Sequence, residues 1–397
     1  MSNHRNLKIH NLIVVLENTV LLLVCSLPFL VPFSLERNFN LQGLVIILAG
    51  ALGWVTVFLR KDKPQDRFEK IGTILIALYI IANILNLVAN FNSHTLFGSP
   101  LMRLGSLGLV ACIGCGLALR KIEPKRLIQW LYTSICLIAA SAIPYSLLTD
   151  SSISRIGGLF SQADILAVFM GVGVLFGIAM WQSYPDKRKY LIVTQLLLIA
   201  ILVGTQTRSV ILLLPLIGLL MVLTGNMTRS RKIQFSGVIL SALALVMILS
   251  PSLPSSRLTD SKYAGESLSY RRDLQKAGIK SLTTKPLFGY GAGSIENALK
   301  CSDLSSSSLK QSCYEGFYFT SSHNIYLDRT LAIGWVGGLA YLAFVIVCLF
   351  RGLRSRYKQI QILSYCALLI AIYYLTNVTS IALELLFIIL LLRISRV

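Results

Sequence analysis

What most limits the fold of this chain is the length of its apolar runs. Stretches of about 20 residues, each long enough to cross ~30 Å of hydrocarbon as a helix, recur from one end of the 397 residues to the other. A water-soluble domain of this size alternates polar and apolar faces. Here 55% of the residues are hydrophobic, 14% are charged and the mean hydropathy is +0.70. The reading is an all-α integral membrane protein with about 12 transmembrane helices. They are drawn over 11–33, 41–59, 71–91, 101–119, 127–148, 159–181, 190–204, 207–224, 233–250, 324–350, 359–376 and 378–394. The first run follows a short basic head (Arg5, Lys8) and lacks the short core and small-residue cleavage site of a secretory signal. It is expected to be a retained helix. Two connections, around Thr205–Gln206 and at Asn377, are expected to be tight.

Charge fixes an orientation for those spans. With the N-terminus inside, the inner connections hold 23 of the 37 lysines and arginines, in clusters such as Arg60–Lys70, Arg120–Arg126, Lys187–Lys189 and Arg351–Lys358. The short outer connections hold only Arg37, Arg103, Arg155 and Arg208. Both termini are thus expected inside. The net charge of +20 is explained by this segregation, so nucleic-acid binding has nothing left to explain. A basic inner face also suits anionic membrane lipid.

One connection departs from the pattern. The division expected is helices 1–9 over 1–250, an outer loop subdomain over 251–322 and helices 10–12 over 323–397. A loop of that size is usually functional or disordered. It contains an amphipathic segment, 267-SLSYRRDLQKAGIKSL-282, whose expected apolar face is Leu268, Leu274, Ile279 and Leu282, followed by a turn at 286-PLFGYGAG-293. Six of the eight cysteines fall within spans, where thiols pack as small apolar groups. Cys301 and Cys313 lie in the outer loop, where an oxidising compartment permits a disulfide; their spacing alone leaves the pairing open. The Cys112/Cys115 pair, on an apolar span without partner ligands, is not read as a metal site. No phosphate loop, HExxH or GxSxG motif is present, and 289-GYGAG-293 lacks a dinucleotide-binding context.

The candidate chemistry collects at the outer ends of the spans: Arg155 in 155-RIGGLFSQAD-164, Arg208 in 204-GTQTRSV-210, the pair Arg271/Arg272, and His323. A lone arginine in a short loop is ordinarily an interfacial anchor, and a histidine at a helix start is ordinarily a solvated neighbour of the cap. As a set they carry more weight. An arginine in so tight a connection lies at the outer interface, where ionisable groups face a cavity or a partner. Guanidinium forks suit phosphate oxygens, so a lipid with a phosphate or pyrophosphate head is the expected ligand. Ser321 or Ser322 is expected to cap a helix starting at His323. The helix dipole and the arginines would then favour a neutral imidazole, competent as a general base, with Asn324 orienting it or binding a sugar hydroxyl.

Three segments together resemble the O-antigen ligase and O-antigen polymerase superfamily of bacterial inner-membrane glycosyltransferases: 204-GTQTRSVILLLPL-216, 270-YRRDLQKAGIKSLTTKPLFGYGAGSI-295 and 322-SHNIYLDRTLAIGWVGGL-339. The resemblance implies a GT-C-like membrane fold with a periplasmic loop subdomain. It implies transfer of a glycan from undecaprenyl diphosphate on the periplasmic face, with no cofactor, nucleotide sugar or metal. Carried over by position, Arg208 and Arg271 would be the essential arginines, Arg272 the competing choice, and His323 the catalytic histidine. Tyr270, Asn324 and Arg155 would be substrate-binding neighbours. Gln275, where the family often has tryptophan, and Asp164, where asparagine is common, are departures that bear on donor or acceptor choice. Of the two activities, ligation to lipid A-core is preferred over polymerisation onto a lipid-linked repeat. A flippase or transporter would show related halves and midplane charges; here the halves look unlike. Glu17 and Glu384 stand inside spans, and Glu384 is expected to bond a neighbouring helix or a cavity water rather than to relay protons. A scaffold without activity leaves the arginine–histidine set unexplained.

Overall fold

The computed structural model describes residues 2–33, 41–60, 64, 66–91, 105–149, 155–160, 162–224, 261–292, 295–315, 319, 321–377 and 380–396. Thirteen α-helices and several short 3-10 segments are present among them, and no strand. In chain order the helices are α1 (Ser2–Ser26), α2 (Leu41–Arg60), α3 (Arg67–Ala89), α4 (Ser106–Leu119), α5 (Pro124–Thr149), α6 (Ala163–Ser183), α7 (Arg188–Gly204), α8 (Arg208–Thr224), α9 (Ser261–Leu282), α10 (Ser307–Tyr314), α11 (Ile325–Leu353), α12 (Lys358–Tyr373) and α13 (Ile381–Ile394). Eleven of the twelve expected spans coincide with a helix. The span drawn at 233–250 lies outside the described residues, as do Arg37, Arg103 and positions 251–260 of the outer loop. Among the described residues six helices are long and apolar enough to cross a membrane, and three shorter ones, α4, α8 and α12, are also apolar. Leu148, Phe58 and Val88 are among the large apolar side chains left exposed on these helices. That pattern is the inverse of a soluble surface and fits a multi-pass membrane protein. The connection at Asn377 is longer than expected, running from Tyr374 to Ser380.

The chain divides into two units: residues 1–123, 267–356 and 374–397 form the first, and 124–266 with 357–373 the second. In the first, α2 and α4 meet through small residues. A Cβ on Gly50 or Gly53 would collide with the backbone of Ala111 or Gly114, so the two backbones touch, as apolar helices do where no solvent drives them together. Beside them α3 packs along α11. Polar clasps hold the ends: Asp66 caps α3 and pairs with Arg351, which also donates to Ser395 O at 2.6 Å, and Arg120 lies 3.4 Å from Glu69. Inside this unit Glu384 is fully buried, accepts from the Tyr341 hydroxyl at 3.1 Å and pairs with Arg329 at 3.2 Å. It bonds a neighbouring helix, as expected. Glu17 pairs with Arg60 at the end of α2.

α11 is broken. Gly334 has φ 80° and ψ 175°, a conformation reserved for glycine, and the carbonyls of Leu331 and Ala332 lose their helical donors. The segment 286–292 replaces them. Tyr290 N–H donates to Leu331 O at 2.8 Å and Gly291 N–H to Ala332 O at 2.9 Å, while Trp335 N–H donates outward to Pro286 O at 2.8 Å. Asn86 of α3 completes the joint. Its amide donates to Phe288 O and, at 2.7 Å, to Ala332 O, and its oxygen accepts from Ala292 N–H at 3.2 Å. Buried backbone groups must be paired, and here two irregular segments pair each other.

In the second unit α6 is central, flanked by α5, α7, α8 and α12.

Candidate functional site

The site is built from the start of α11 outward. The helix begins at Ile325, not His323, and its cap is Asn324, whose side-chain oxygen accepts from Tyr326 N–H and Leu327 N–H, both at 3.1 Å. This corrects the expectation that Ser321 or Ser322 caps it. The two serines instead bind Asp328, one turn into the helix: Ser321 Oγ donates to Oδ2 at 2.5 Å and Ser322 N–H to Oδ1 at 2.8 Å. Asp328 is buried, so this carboxylate is the anchor of the whole turn. A carboxylate near a helix start also meets the favourable end of the dipole.

His323 sits at the apex with φ 58°, while its N–H donates to Ser321 Oγ at 2.9 Å. A left-handed conformation is uncommon for a residue with a side chain, and persists where its surroundings fix it. The Asp328–Ser321 clasp supplies that fixation and turns the imidazole out of the helix line, edge-on to the Tyr270 ring at 5.6 Å between centroids. Tyr270 in turn meets Phe319 edge-to-face at 6.2 Å. Burial pushes the Tyr270 phenol above its ordinary range, so it remains a hydrogen-bond donor at neutral pH.

α9 delivers Tyr270 and the arginine pair. Its buried residues are Asp273, Leu274, Ala277, Ser281 and Leu282, with Gly278 facing Leu327 and Leu331. The expected apolar face is corrected here, because Leu268 and Ile279 are exposed. Small residues at 277 and 278, rather than the larger ones, let α9 approach α11. Seven residues are nearly two turns, so Arg271 lies in phase with Gly278, whereas Arg272 shares the outer side with Lys276 and Ile279. Accordingly Arg271 is half-buried and Arg272 exposed.

The opposite edge of α9 is stapled. Asp273 accepts from Ser306 N–H at 2.8 Å and from Ser305 N–H at 2.9 Å. Burial alone would raise its pKa, but these donors and Lys276 hold it below the ordinary carboxylate range. Lys280 reaches Asp303 at 2.7 Å. Cys301 and Cys313 are bonded in a disulfide, with Cα atoms 5.5 Å apart, which closes the question left open by the sequence.

The second unit holds the other two arginines. α7 and α8 are joined by Thr205, Gln206 and Thr207, with Gln206 at φ 53°, so the expected tight connection is present. Arg208, half-buried, is the first residue of α8. Arg155 clasps the connection: Nε donates to Thr205 O at 2.8 Å, and Nη2 donates to Thr207 Oγ1 at 3.1 Å and to Asp164 at 2.6 Å. Thr207 Oγ1 also donates to Asp164 at 3.0 Å. The departure at Asp164 thus has a local role: it is the counter-ion of Arg155.

Asp328, Arg329 and Asn86 carry no role in the sequence reading, though for Asn86 a signal exists. The signal was present in 83-NILNLVAN-90, where Asn83, Asn86 and Asn90 recur at helical spacing inside an apolar span.

Residues 193–342 match the Wzy_C family, described as O-antigen ligase. The matched stretch runs from α7 to the middle of α11 and includes Arg208, Arg271 and His323. No curated protein matches the chain.

Proposed function

We propose, from the match of residues 193–342 to the O-antigen ligase family, that the protein transfers a glycan from undecaprenyl diphosphate to a sugar hydroxyl on the periplasmic face of the bacterial inner membrane. The acceptor is lipid A-core saccharide, so the product is capped lipopolysaccharide. One observation supports this reading above the others: His323 is held in a left-handed turn by Asp328, against Tyr270, on the helix that carries Arg271. A histidine that only decorated a helix start would need no such clasp.

In the proposed reaction His323 removes the proton of the acceptor hydroxyl. The oxygen attacks the anomeric carbon as the bond from that carbon to the diphosphate oxygen breaks, and undecaprenyl diphosphate leaves with the electron pair. A single displacement inverts the anomeric centre. Arg271 meets the negative charge that grows on the leaving diphosphate, an effect strongest where the donor is already in place. Arg208 enters from its motif, 204-GTQTRSV-210, as a second guanidinium for the same charge. Tyr270 and Asn324 are assigned to the saccharide; Arg155, bound to Asp164 and the α7–α8 connection, acts by shaping that connection.

Purified protein incubated with a defined lipid-linked donor and a lipid A-core acceptor tests the proposal. Transfer should occur with inversion, and His323→Ala should abolish it while the protein still inserts in the membrane. Retention at the anomeric carbon, or a fully active His323→Ala, would overturn the mechanism. Glycan profiles of a deletion strain separate the two activities of the superfamily. Polymer stranded on undecaprenol marks a ligase; core capped by a single repeat marks a polymerase.

A further inference from the structure

The second unit contains a cavity that the proposed transfer does not use. It has a volume of about 310 Å³ and is lined by Lys125, Ala179, Ser183, Lys358, Gln359 and Ile362. The lining is divided by chemistry. Two ammonium groups, a hydroxyl and an amide supply donors, Ala179 and Ile362 supply an apolar wall, and no carboxylate is among them.

Its position in the unit follows from the helices. Lys125 is the second residue of α5, Ser183 the last of α6, and Lys358 and Gln359 the first two of α12. All are helix ends of the kind expected at the inner membrane surface, where Arg126, Arg188 and Lys189 add to the positive field. Interfacial aromatics mark the depth. Lys125 Nζ stands over the Tyr184 ring at 4.5 Å, and Arg188 covers Trp181 at 5.3 Å. Trp and Tyr prefer the headgroup level, so the cavity opens where lipid phosphates lie. The starts of α5 and α12 contribute the positive ends of two helix dipoles.

We infer that this cavity is a binding site for a phosphate group carried by an anionic lipid, seated between Lys125 and Lys358, with its acyl portion against Ala179 and Ile362. Two cations and two neutral donors without a carboxylate suit a phosphodiester anion, and the apolar wall suits what a free anion lacks. The site stands apart from the proposed transfer, since none of its residues belongs to that machinery.

The test uses delipidated full-length protein titrated with phosphatidylglycerol, with phosphatidylcholine and with inorganic phosphate, read by native mass spectrometry and thermal shift. Phosphatidylglycerol should be retained and should raise the melting point, whereas phosphatidylcholine should not. Lys125→Gln combined with Lys358→Gln should weaken phosphatidylglycerol binding about a hundredfold, the effect of losing two charge-assisted hydrogen bonds to the phosphate. Arg126→Gln combined with Lys189→Gln removes the same net charge outside the cavity and should leave binding within a few-fold of wild type. Lys358 is exposed, so the single Lys358→Gln variant keeps the test valid if the double variant misfolds. Protection by inorganic phosphate that is lost in the double variant would support the phosphate site but assign its source to solution rather than lipid. Equal binding of phosphatidylglycerol by the cavity variant and wild type, equal loss in the control pair, or equal binding of phosphatidylcholine would overturn the inference.

Discussion

Replacing Gly334 by alanine tests the joint between α11 and the 286–292 segment. At φ 80° and ψ 175° an alanine costs about 1–3 kcal/mol, and its Cβ would lie 1.9 Å from Leu287 O. That neighbour is backbone, so it cannot swing aside as a side chain would. The strain is relieved if α11 straightens. Leu331 O then regains its helical donor, the Trp335 N–H, and the loop loses its acceptors. Three backbone hydrogen bonds across the joint are broken, a loss of about 3 kcal/mol to the loop at about 1 kcal/mol each. Within α11 the loss is offset by restored helical bonds. Hydrogen exchange in nanodiscs reads the difference. The amides of Tyr290 and Gly291 should exchange about a hundredfold faster, since each 1.4 kcal/mol is a factor of about ten, while Trp335 stays protected. Gly265→Ala is the control. Nothing lies within 4 Å of the Cβ it would add, and on an exposed helix it should be neutral or slightly stabilising. Unchanged exchange at 290–291 in Gly334→Ala would refute the account of the joint.

Three further outcomes are expected. Arg271→Ala should lower transfer by at least about a hundredfold, the scale of one lost charge-stabilising donor, while Arg272→Ala changes it by less than about tenfold; steady-state transfer assays compare them. Asp328→Ala removes both acceptors of the Ser321–Ser322 turn, and kcat should fall more than tenfold with little change in donor KM. Asp328→Asn, which keeps one acceptor, should recover part of that loss. For Asp273 the folded carboxyl titrates below its unfolded value, so its contribution is complete above the ordinary carboxylate range near pH 3.9. It is lost as pH falls through the lower folded value. Proteolysis of the 301–313 segment should therefore be flat from neutral to mildly acidic pH and rise in acid, and Asp273→Asn should show the weakened state at every pH.

The apolar runs were legible because a crossing helix needs about 20 such residues, and eleven of the expected runs overlap helices among the described residues, six of them long and apolar enough to cross; the first is displaced, drawn over 11–33 where the helix is Ser2–Ser26. The features that shape the site were not set by local pattern. Serine and asparagine cap helices about equally well, so 321-SSHN-324 could not reveal its own cap. The choice is made by Asp328, which draws both serines away and leaves the position to Asn324. The break at Gly334 was hidden for a related reason. A glycine in an apolar run signals close packing as readily as a bend, and the carbonyls it exposes are satisfied by Tyr290 and Gly291, distant in sequence. The arginine pair shows the same limit with a different resolution. Motif position preferred Arg271 but left Arg272 as its competitor; a helix turns about 100° between neighbours, so at most one of them can share the phase of Gly278. Once Gly278 is seen against Leu327 and Leu331, the inward place falls to Arg271. The small residue that lets α9 approach α11 therefore also decides which arginine lies on the packed side of α9.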